Sequence, residues 1–325
     1  MAKVKNFKTI FPAVSVPLND DYSINESEFR AYLRWIKTFY GKGMDGLVCN
    51  GHTGEITGLT RAERKRVVEI CAEECGDVMT IISGVNCENT AESIEMAKEA
   101  KEAGADGILL MPPHMWLRFG MNPDAPFEYV KDVAEGADID IIIHLYPATS
   151  KAFYPVETLI KMCKEIDHVK CIKMGTRVTS IYEHDVRLLR QECQDISIIT
   201  CHDETLCVSW FPGMDGALIG FAGCVPEIIC PAREVFANPD KHTLKEAQDW
   251  SDRIYHISQA IYGGGQPSGE AHARLKEALK QRGIFSSALM RKPVLPLNQE
   301  EKDWVALGLE RSQLPEVDMA QFEDK

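Results

Sequence analysis

One short phrase recurs along this chain of 325 residues and constrains its fold more than any other feature. A Gly-x-Asp-Gly turn leads directly into an apolar run in "GMDGLVC" (43–49), "GADGILL" (104–110) and "GMDGALI" (213–219). Amphipathic segments with helical spacing precede the first two copies. The phrase therefore predicts a helix, a glycine stop and a short buried strand, and it predicts that this unit is repeated.

Five further apolar runs bring the number of predicted strands to eight. They are "TIFPAVSV" (9–16), "MTIISGV" (79–85), "DIIIHLY" (140–146), "VKCIKMG" (169–175) and "ISIITCH" (196–202). Short continuous apolar runs separated by helical segments are typical of parallel strands covered by helices. Eight such units predict an α/β fold, a (β/α)8 TIM barrel. An open doubly wound sheet is the alternative, but no Gly-x-Gly-x-x-Gly follows the first strand.

The strand pattern stops after the eighth unit, and only helical segments follow. We therefore predict a catalytic barrel over residues 1–236 and a C-terminal helical domain over residues 237–325. A glycine-rich joint is expected at Gly263–Gly265, between two of the C-terminal helices.

Charge and composition exclude several classes of protein. The formal net charge is -13 and no run of Lys and Arg provides a basic face, which argues against a nucleic-acid partner. No apolar run approaches the roughly 18–20 residues that cross a bilayer, and the N-terminus lacks a signal-peptide pattern. We therefore expect a cytoplasmic protein without a membrane partner. The eleven cysteines form no Cys-x-x-Cys pair, which favours reduced thiols over disulfides or a structural zinc site.

In a (β/α)8 barrel the chemistry lies at the C-terminal ends of the strands. The polar residues predicted there are His52, Thr53, Glu55, His114, Trp116, His144, Tyr146, Lys173, His202 and Asp203. Lys173 is the most informative of them, because burial lowers the pKa of a lysine and a neutral amine can form a Schiff base with a ketone. The alternative is a lysine that extends to solvent, as we expect for Lys170 at the other end of the same strand.

The stretch "GHTGE" (51–55) follows the second strand. Its glycines permit a tight turn in which backbone N–H groups can face a small anion. An ordinary loop between a strand and a helix is the alternative.

Taken together, these motifs resemble the dihydrodipicolinate synthase / N-acetylneuraminate lyase family. The similar segments are "FPAVSVPLNDDYSIN", "GHTGE" followed by "LTRAER", "CIKMGT", "HDETLCVSWFPGMDGALIGFAGCVPE" and "RLKEALKQRGI…MRKPVLPL", in family order from residue 10 to 297. The resemblance implies a class I lyase that acts on pyruvate or another 2-keto acid. It also implies a homo-oligomer, a tetramer or a dimer, and no cofactor beyond a covalent Schiff base.

Carried over by position, the resemblance makes Lys173 the Schiff-base lysine. It implies that His52 and Thr53 bind the carboxylate of the keto acid. Further candidates for substrate binding are Gly54, His114, Trp116 and Ile219. His144 stands where the family has its catalytic tyrosine, and an imidazole can move protons near neutral pH. Tyr146 lies two residues on, on the same side of the strand, and can supply the phenol in part.

Other departures from the family pattern bear on the reaction. His52 replaces a threonine, the segment "PPHMW" holds no tyrosine, and Ala148 and Thr149 stand where synthases carry an arginine. We therefore predict aldol or hydratase-aldolase cleavage that releases pyruvate, and we disfavour dihydrodipicolinate synthesis. The stretch "MWL" (115–117) is similar to hydratase-aldolases of arylidene pyruvates and favours an aromatic distal group. A dehydratase of a 2-keto-3-deoxy sugar acid is the alternative.

Two other classes of function stay open. The first is a metal-dependent hydrolase, with ligands drawn from His52, His114, His144, His202 and Asp203. Strand 1 lacks the His-x-His pair usual in such barrels, so we expect no metal. The second is a non-catalytic paralogue that binds a keto acid, although the retained Lys173 speaks against it.

Overall fold

The computed structural model describes residues 3–263 and 268–323. Gly264 and Gly265 of the predicted joint lie outside these ranges. The described residues form eight strands: β1 (Ile10–Pro12), β2 (Gly46–Cys49), β3 (Thr80–Val85), β4 (Gly107–Leu110), β5 (Asp140–His144), β6 (Val169–Met174), β7 (Ser197–Thr200) and β8 (Gly216–Ile219). Each lies within one of the predicted apolar runs, so all eight predicted strands are confirmed.

The strands form one parallel sheet that closes into a barrel. Strands adjacent in sequence pair with each other from β2 to β8, and β8 pairs with β1. Between β1 and β2 the closure is narrow: a parallel bridge joins Ala13 to Val48, and the Val14 N–H donates to the Val48 carbonyl at 2.9 Å. The (β/α)8 barrel predicted from the sequence is therefore confirmed, and the open-sheet alternative is wrong.

Helices cover the outside of the barrel and continue beyond it. They are α1 (Glu26–Lys37), α2 (Arg61–Cys75), α3 (Thr90–Glu102), α4 (His114–Phe119), α5 (Ala125–Ala137), α6 (Val156–Glu165), α7 (Thr179–Glu192), α8 (Leu206–Trp210), α9 (Pro226–Ala237), α10 (Leu244–Tyr262), α11 (Gly269–Gln281) and α12 (Gln299–Arg311). Helices α10 to α12 form the predicted C-terminal helical region. Its division from the barrel at residue 236 stays a prediction.

The core has two layers because successive residues of a strand point to opposite sides. Each strand contributes one residue to a cluster inside the barrel: Phe11, Val48, Ile82, Leu109, Ile142, Cys171, Ile199 and Leu218. The alternate residues pack outward against the helices. This alternation decides which side chains can reach the mouth of the barrel.

The eleven cysteines are all unpaired. None of the helices in the described ranges is both long enough and apolar enough to cross a membrane.

Candidate active site

The side chains of Lys173, His144 and Tyr146 extend from the interior face of neighbouring strands. Lys173 lies two residues after Cys171, and His144 and Tyr146 lie two and four residues after Ile142. Cys171 and Ile142 face the barrel interior. Because residues two or four positions further along a strand point to the same side, the three polar side chains also face inward, nearer the C-terminal mouth. The Cα atoms of His144 and Lys173 are direct partners between β5 and β6.

A cavity of about 440 Å³ opens at this mouth. Six of the residues predicted to be catalytic or substrate-binding line it: His52, Thr53, His114, His144, Tyr146 and Lys173. The loop after β2, helix α4 and the ends of β5 and β6 thus contribute to one site. The sequence prediction that these residues lie together agrees with the structure, while their roles stay predictions.

Lys173 is half-buried on the wall of this cavity. Burial lowers the pKa of its ammonium below 10.5, although the neighbouring Cys201 and Asp203 oppose that shift. No hydrogen bond joins the Lys173 Nζ to another residue in the part of the chain that the structure describes. A lowered pKa and an unengaged amine are the properties that a nucleophilic lysine requires.

Two neutral imidazoles lie beside this lysine. His144 is 7% exposed, and burial holds its pKa well below 6.5, with the charge of Lys173 adding to the shift. His52 follows the same pattern, since burial and Lys173 lower its pKa to about 3. The Nδ1 of His144 is buried without a hydrogen-bond partner among the described residues. At neutral pH both rings are therefore uncharged, and each has a ring nitrogen that can accept a hydrogen bond.

The ring of Tyr146 packs beside both imidazoles. Its ring centroid lies 5.0 Å from that of His144, and its hydroxyl lies 3.4 Å from the Nε2 of His52. Burial raises the pKa of Tyr146 above 10, so the phenol stays protonated. The three side chains form a compact group that can exchange protons with a ligand held beside Lys173.

Three predicted substrate-binding residues do not line the cavity within the described residues. Trp116 packs between Tyr129 and Tyr154, at ring-centroid distances of 5.7 and 6.2 Å, and its neighbour Leu117 lines the cavity instead. Ile219 follows the inward-facing Leu218, so it packs in the outer layer with the helices.

Gly54 is the third of these residues, and its position has a steric explanation. A Cβ added to it would lie 3.0 Å from the carbonyl oxygen of Val14. A glycine therefore lets the loop after β2 pack closely against the segment that follows β1.

The structure adds polar residues that sequence reasoning did not place in the site. Arg177 and Glu204 form an ion pair on the cavity wall, and Arg177 also donates from Nη1 to the Gly175 carbonyl at 3.1 Å. Tyr262 of α10 and His272 of α11 reach the cavity from the C-terminal region. Arg177 follows Lys173 by four residues and could have been suspected, whereas the two helical residues carry no local signal.

Asp203 was predicted at the rim, and it lines the cavity. Burial raises the pKa of its carboxyl to about 6, and the nearby Tyr262 opposes the rise. The backbone N–H groups of Gly220 and Phe221 donate to its Oδ1 at 2.7 and 3.3 Å. Asp203 is thus fixed at the end of β7, close to Lys173.

The residues considered as metal ligands do not meet as one ligand set. His202 is 6% exposed, lies outside the cavity lining and packs on the Tyr182 ring at a centroid distance of 4.7 Å. No three His, Cys, Asp or Glu side chains of residues 3–263 and 268–323 are grouped as a metal site would require.

The family follows from a comparison of the whole chain with known proteins. The model of the dihydrodipicolinate synthetase family matches residues 6–311. The chain belongs to this family. A 4-hydroxy-tetrahydrodipicolinate synthase of Bartonella bacilliformis is 26% identical over 94% of this chain and 98% of the relative. An uncharacterized DapA-like lyase of Thermofilum pendens is 25% identical over 89% of this chain and 92% of the relative.

Solved structures of the dihydrodipicolinate synthetase family share the fold. A prophage protein of this family from E. coli K12, crystallised in complex with pyruvate, superposes with a TM-score of 0.84 at 20% identity over 95% of this chain and 99% of that chain. Dihydrodipicolinate synthase from Aquifex aeolicus gives a TM-score of 0.82 at 19% identity over 95% and 99% of the two chains.

Family membership gives the class of reaction. Members of the dihydrodipicolinate synthetase family are class I lyases that form a lysine Schiff base with pyruvate-type substrates, so this chain is an enzyme of that class. The relatives above carry different activity names, one of them unspecified. The substrate must therefore be argued from the chemistry of this cavity.

Proposed function

We propose that this enzyme cleaves a 2-keto acid by an aldol or hydratase-aldolase reaction and releases pyruvate, with Lys173 as the Schiff-base residue. The observation that carries the proposal is the position of Lys173, on the interior face of β6, half-buried in the cavity and paired across the sheet with His144. Its lowered pKa increases the fraction of neutral amine near pH 7.

The proposed reaction begins with the attack of the Lys173 amine on the C2 carbonyl of the keto acid. Loss of water from the carbinolamine leaves a protonated imine. The bond between C3 and C4 then breaks, its electron pair moves into the imine to give an enamine, and the C4 hydroxyl loses its proton to a base. Protonation of C3 and hydrolysis release pyruvate and regenerate the amine.

His144 and Tyr146 are the groups that we assign to these proton transfers. The neutral imidazole can take the proton of the C4 hydroxyl, and it can later return a proton to C3. The phenol of Tyr146, which stays protonated, can donate a hydrogen bond to the same oxygen or pass protons between His144 and His52. The side chains of His144 and Tyr146 are each 7% exposed, so the relay is shielded from bulk water.

The loop after β2 is the proposed site for the substrate carboxylate. Thr53 lines the cavity. The backbone N–H of Thr53 donates to none of the residues that the structure describes, so this donor is available to an anion in the cavity. The Thr53 hydroxyl can provide a second. The low pKa of His52 keeps its ring neutral, so this imidazole contributes hydrogen bonds rather than charge.

One wall of the cavity offers polar groups to the distal end of the substrate. Arg177, Glu204 and Asp203 lie on its wall with Tyr262 and His272, whereas Trp116 does not. We therefore replace the aryl substrate suggested by "MWL" with one that carries hydroxyl groups. A dehydratase of a 2-keto-3-deoxy sugar acid, which shares the enamine intermediate, is the second candidate supported by this lining. Dihydrodipicolinate synthesis stays disfavoured.

One experiment tests the central step. The enzyme is incubated with pyruvate, reduced with borohydride and digested, and the adduct is located by mass spectrometry. We expect it on Lys173 and not on Lys170, which is exposed at the other end of the same strand. Lys173→Ala should abolish it. The absence of an adduct on Lys173 would defeat the Schiff-base assignment and leave a binding paralogue or a metal-dependent reaction.

The substrate is then selected by assay. A panel of hydroxylated and aryl 2-keto acids, followed for pyruvate release and for loss of water, distinguishes cleavage from dehydration. Preference for an aryl 2-keto acid would contradict the proposal that the substrate carries hydroxyl groups.

We also propose a homo-oligomer, a tetramer or a dimer, on the family resemblance; a monomeric mass in sedimentation would overturn it.

A further inference from the structure

The loop after β2 is tied to helix α11 through a buried ion pair. Glu55 closes this loop and is 8% exposed, and Lys276 of α11 is 1% exposed. The Glu55 carboxylate and the Lys276 ammonium are in direct contact, although the two residues lie far apart in the sequence. Burial lowers the pKa of Lys276, and the charge of Glu55 opposes that shift. Each charge therefore depends on the other for compensation.

The backbone of Glu55 also depends on these contacts. Its φ of +55° lies in the left-handed region, which a residue with a side chain rarely adopts. Two hydrogen bonds reinforce the ion pair: the Arg291 N–H donates to Glu55 Oε2 at 3.2 Å, and Lys276 Nζ donates to the Leu289 carbonyl at 2.9 Å. Such a backbone conformation persists when surrounding contacts hold it. Here the C-terminal region supplies those contacts.

The same helix reaches the cavity directly. His272 lies four residues before Lys276 on α11, so the two side chains share one face of the helix. His272 lines the cavity, while Lys276 contacts the loop that carries His52 and Thr53. A shift of α11 would therefore alter the loop and the cavity wall together.

We propose that the Glu55–Lys276 ion pair is a positioning element by which helix α11 fixes the carboxylate-binding loop. The two residues act through Thr53, which lines the cavity and lies two residues before Glu55. Removal of either charge leaves the other buried without its contact partner, which favours a movement of the loop that hydrates it. This inference rests on the proposed function, since it assumes that the loop binds the keto-acid carboxylate.

The test uses pyruvate as the probe, and it measures borohydride trapping on Lys173 against pyruvate concentration. The variants are Lys276→Met, Glu55→Gln and the double variant, with Lys280→Met as the control because Lys280 is an exposed lysine of the same helix. We expect the half-saturating pyruvate concentration to rise about tenfold in both single variants, since losing one hydrogen bond to a charged group costs about a factor of ten or more in affinity. The maximum extent of trapping should be unchanged.

Further readouts separate positioning from folding. Lys280→Met should match the wild type, and the double variant should be no worse than the worse single variant, because the pair acts as a unit. Far-UV circular dichroism and thermal unfolding establish that each variant is folded at the assay temperature. Glu55→Gln keeps the shape of the side chain and carries the test if Lys276→Met does not fold.

The outcomes distinguish this inference from the proposed function. Failure of the wild type to form an adduct on Lys173 would defeat the Schiff-base proposal itself. A wild-type adduct combined with unchanged half-saturation in folded Glu55→Gln or Lys276→Met would overturn the positioning role. A fall in the maximum extent without a change in half-saturation would equally overturn it, because that result indicates a loss of active protein.

Discussion

Replacement of His144 with alanine should slow proton transfer at the substrate without preventing formation of the Schiff base. In the proposed reaction Lys173 makes the covalent bond, and within the described residues no hydrogen bond joins its amine to His144. His144, the proposed base, is buried on the adjacent strand and paired across the sheet with Lys173. The variant should therefore be trapped by borohydride with pyruvate while losing most of its rate in later steps.

The expected loss is about a hundredfold, at the lower end of the roughly 10²- to 10⁴-fold range of general acid–base catalysis. Two features of the site support the lower end. The pKa of His144 is held well below 6.5, which makes the imidazole a weaker base than an unperturbed histidine. The phenol of Tyr146, with its ring centroid 5.0 Å away, can replace part of the relay.

Deuterium exchange gives an assay that needs no knowledge of the natural substrate. In D2O, each passage of pyruvate through the enamine replaces a C3 proton with deuterium, and ¹H NMR follows the loss of the methyl signal. His202→Ala is a matched control, because His202 is also a buried histidine just beyond a strand end, with a pKa lowered to about 4 by burial. It lies outside the cavity lining, so its removal should leave the exchange rate within about threefold of the wild type.

Deuterium exchange in His144→Ala as fast as in His202→Ala would contradict the role of His144 in proton transfer. That result would return His144 to a structural role at the end of β5. Loss of the adduct itself in folded His144→Ala would also contradict it, since it would place His144 in formation of the Schiff base. His144→Tyr tests whether the phenol usual in the family restores exchange.

Three further predictions concern pH and packing. Because burial lowers the pKa of Lys173, its trapping rate, followed by mass spectrometry, should level off below pH 10.5; a rate that still rises at that pH would contradict the lowered pKa. His52 takes up a proton near pH 6.5 in the unfolded state but only near pH 3 in the folded state. Its contribution to the free energy of unfolding is therefore full above pH 6.5 and is lost as the pH falls toward 3. Denaturant titrations should show a shallower loss of stability with falling pH in His52→Asn than in the wild type. Gly175→Ala would place a Cβ 1.9 Å from the Leu145 carbonyl oxygen between β5 and β6, and it should destabilise the fold by about 1–3 kcal/mol, whereas Gly269→Ala, with no atom within 4 Å, should not.

Much of the fold follows from local patterns. The glycine stops and apolar runs predicted all eight strands because a strand buried on both faces must be continuously apolar. Strand order then follows from short right-handed connections between neighbouring units. The period of two along β5 also placed His144 and Tyr146 on one face.

The candidate site was predicted only where it lies close to a strand end. Trp116 and Ile219 were assigned to the substrate by position in the chain, but Trp116 packs between two tyrosines and Ile219 faces the helices. A resemblance carried over by position does not include these rival contacts. The strict alternation along β8 could have excluded Ile219, because Leu218 occupies the inward position.

The sequence by itself determined the barrel, the class of chemistry and the residue best suited to form a Schiff base. Only the tertiary structure decided what surrounds that residue: the ion pair of Arg177 with Glu204, the approach of His272, and the contact of Lys276 with Glu55. Local periodicity depends only on neighbouring residues, so it can be recognised in the sequence. Contacts between the C-terminal helices and the barrel mouth join residues far apart in sequence, and burial and pKa depend on the whole packed assembly rather than on any one segment.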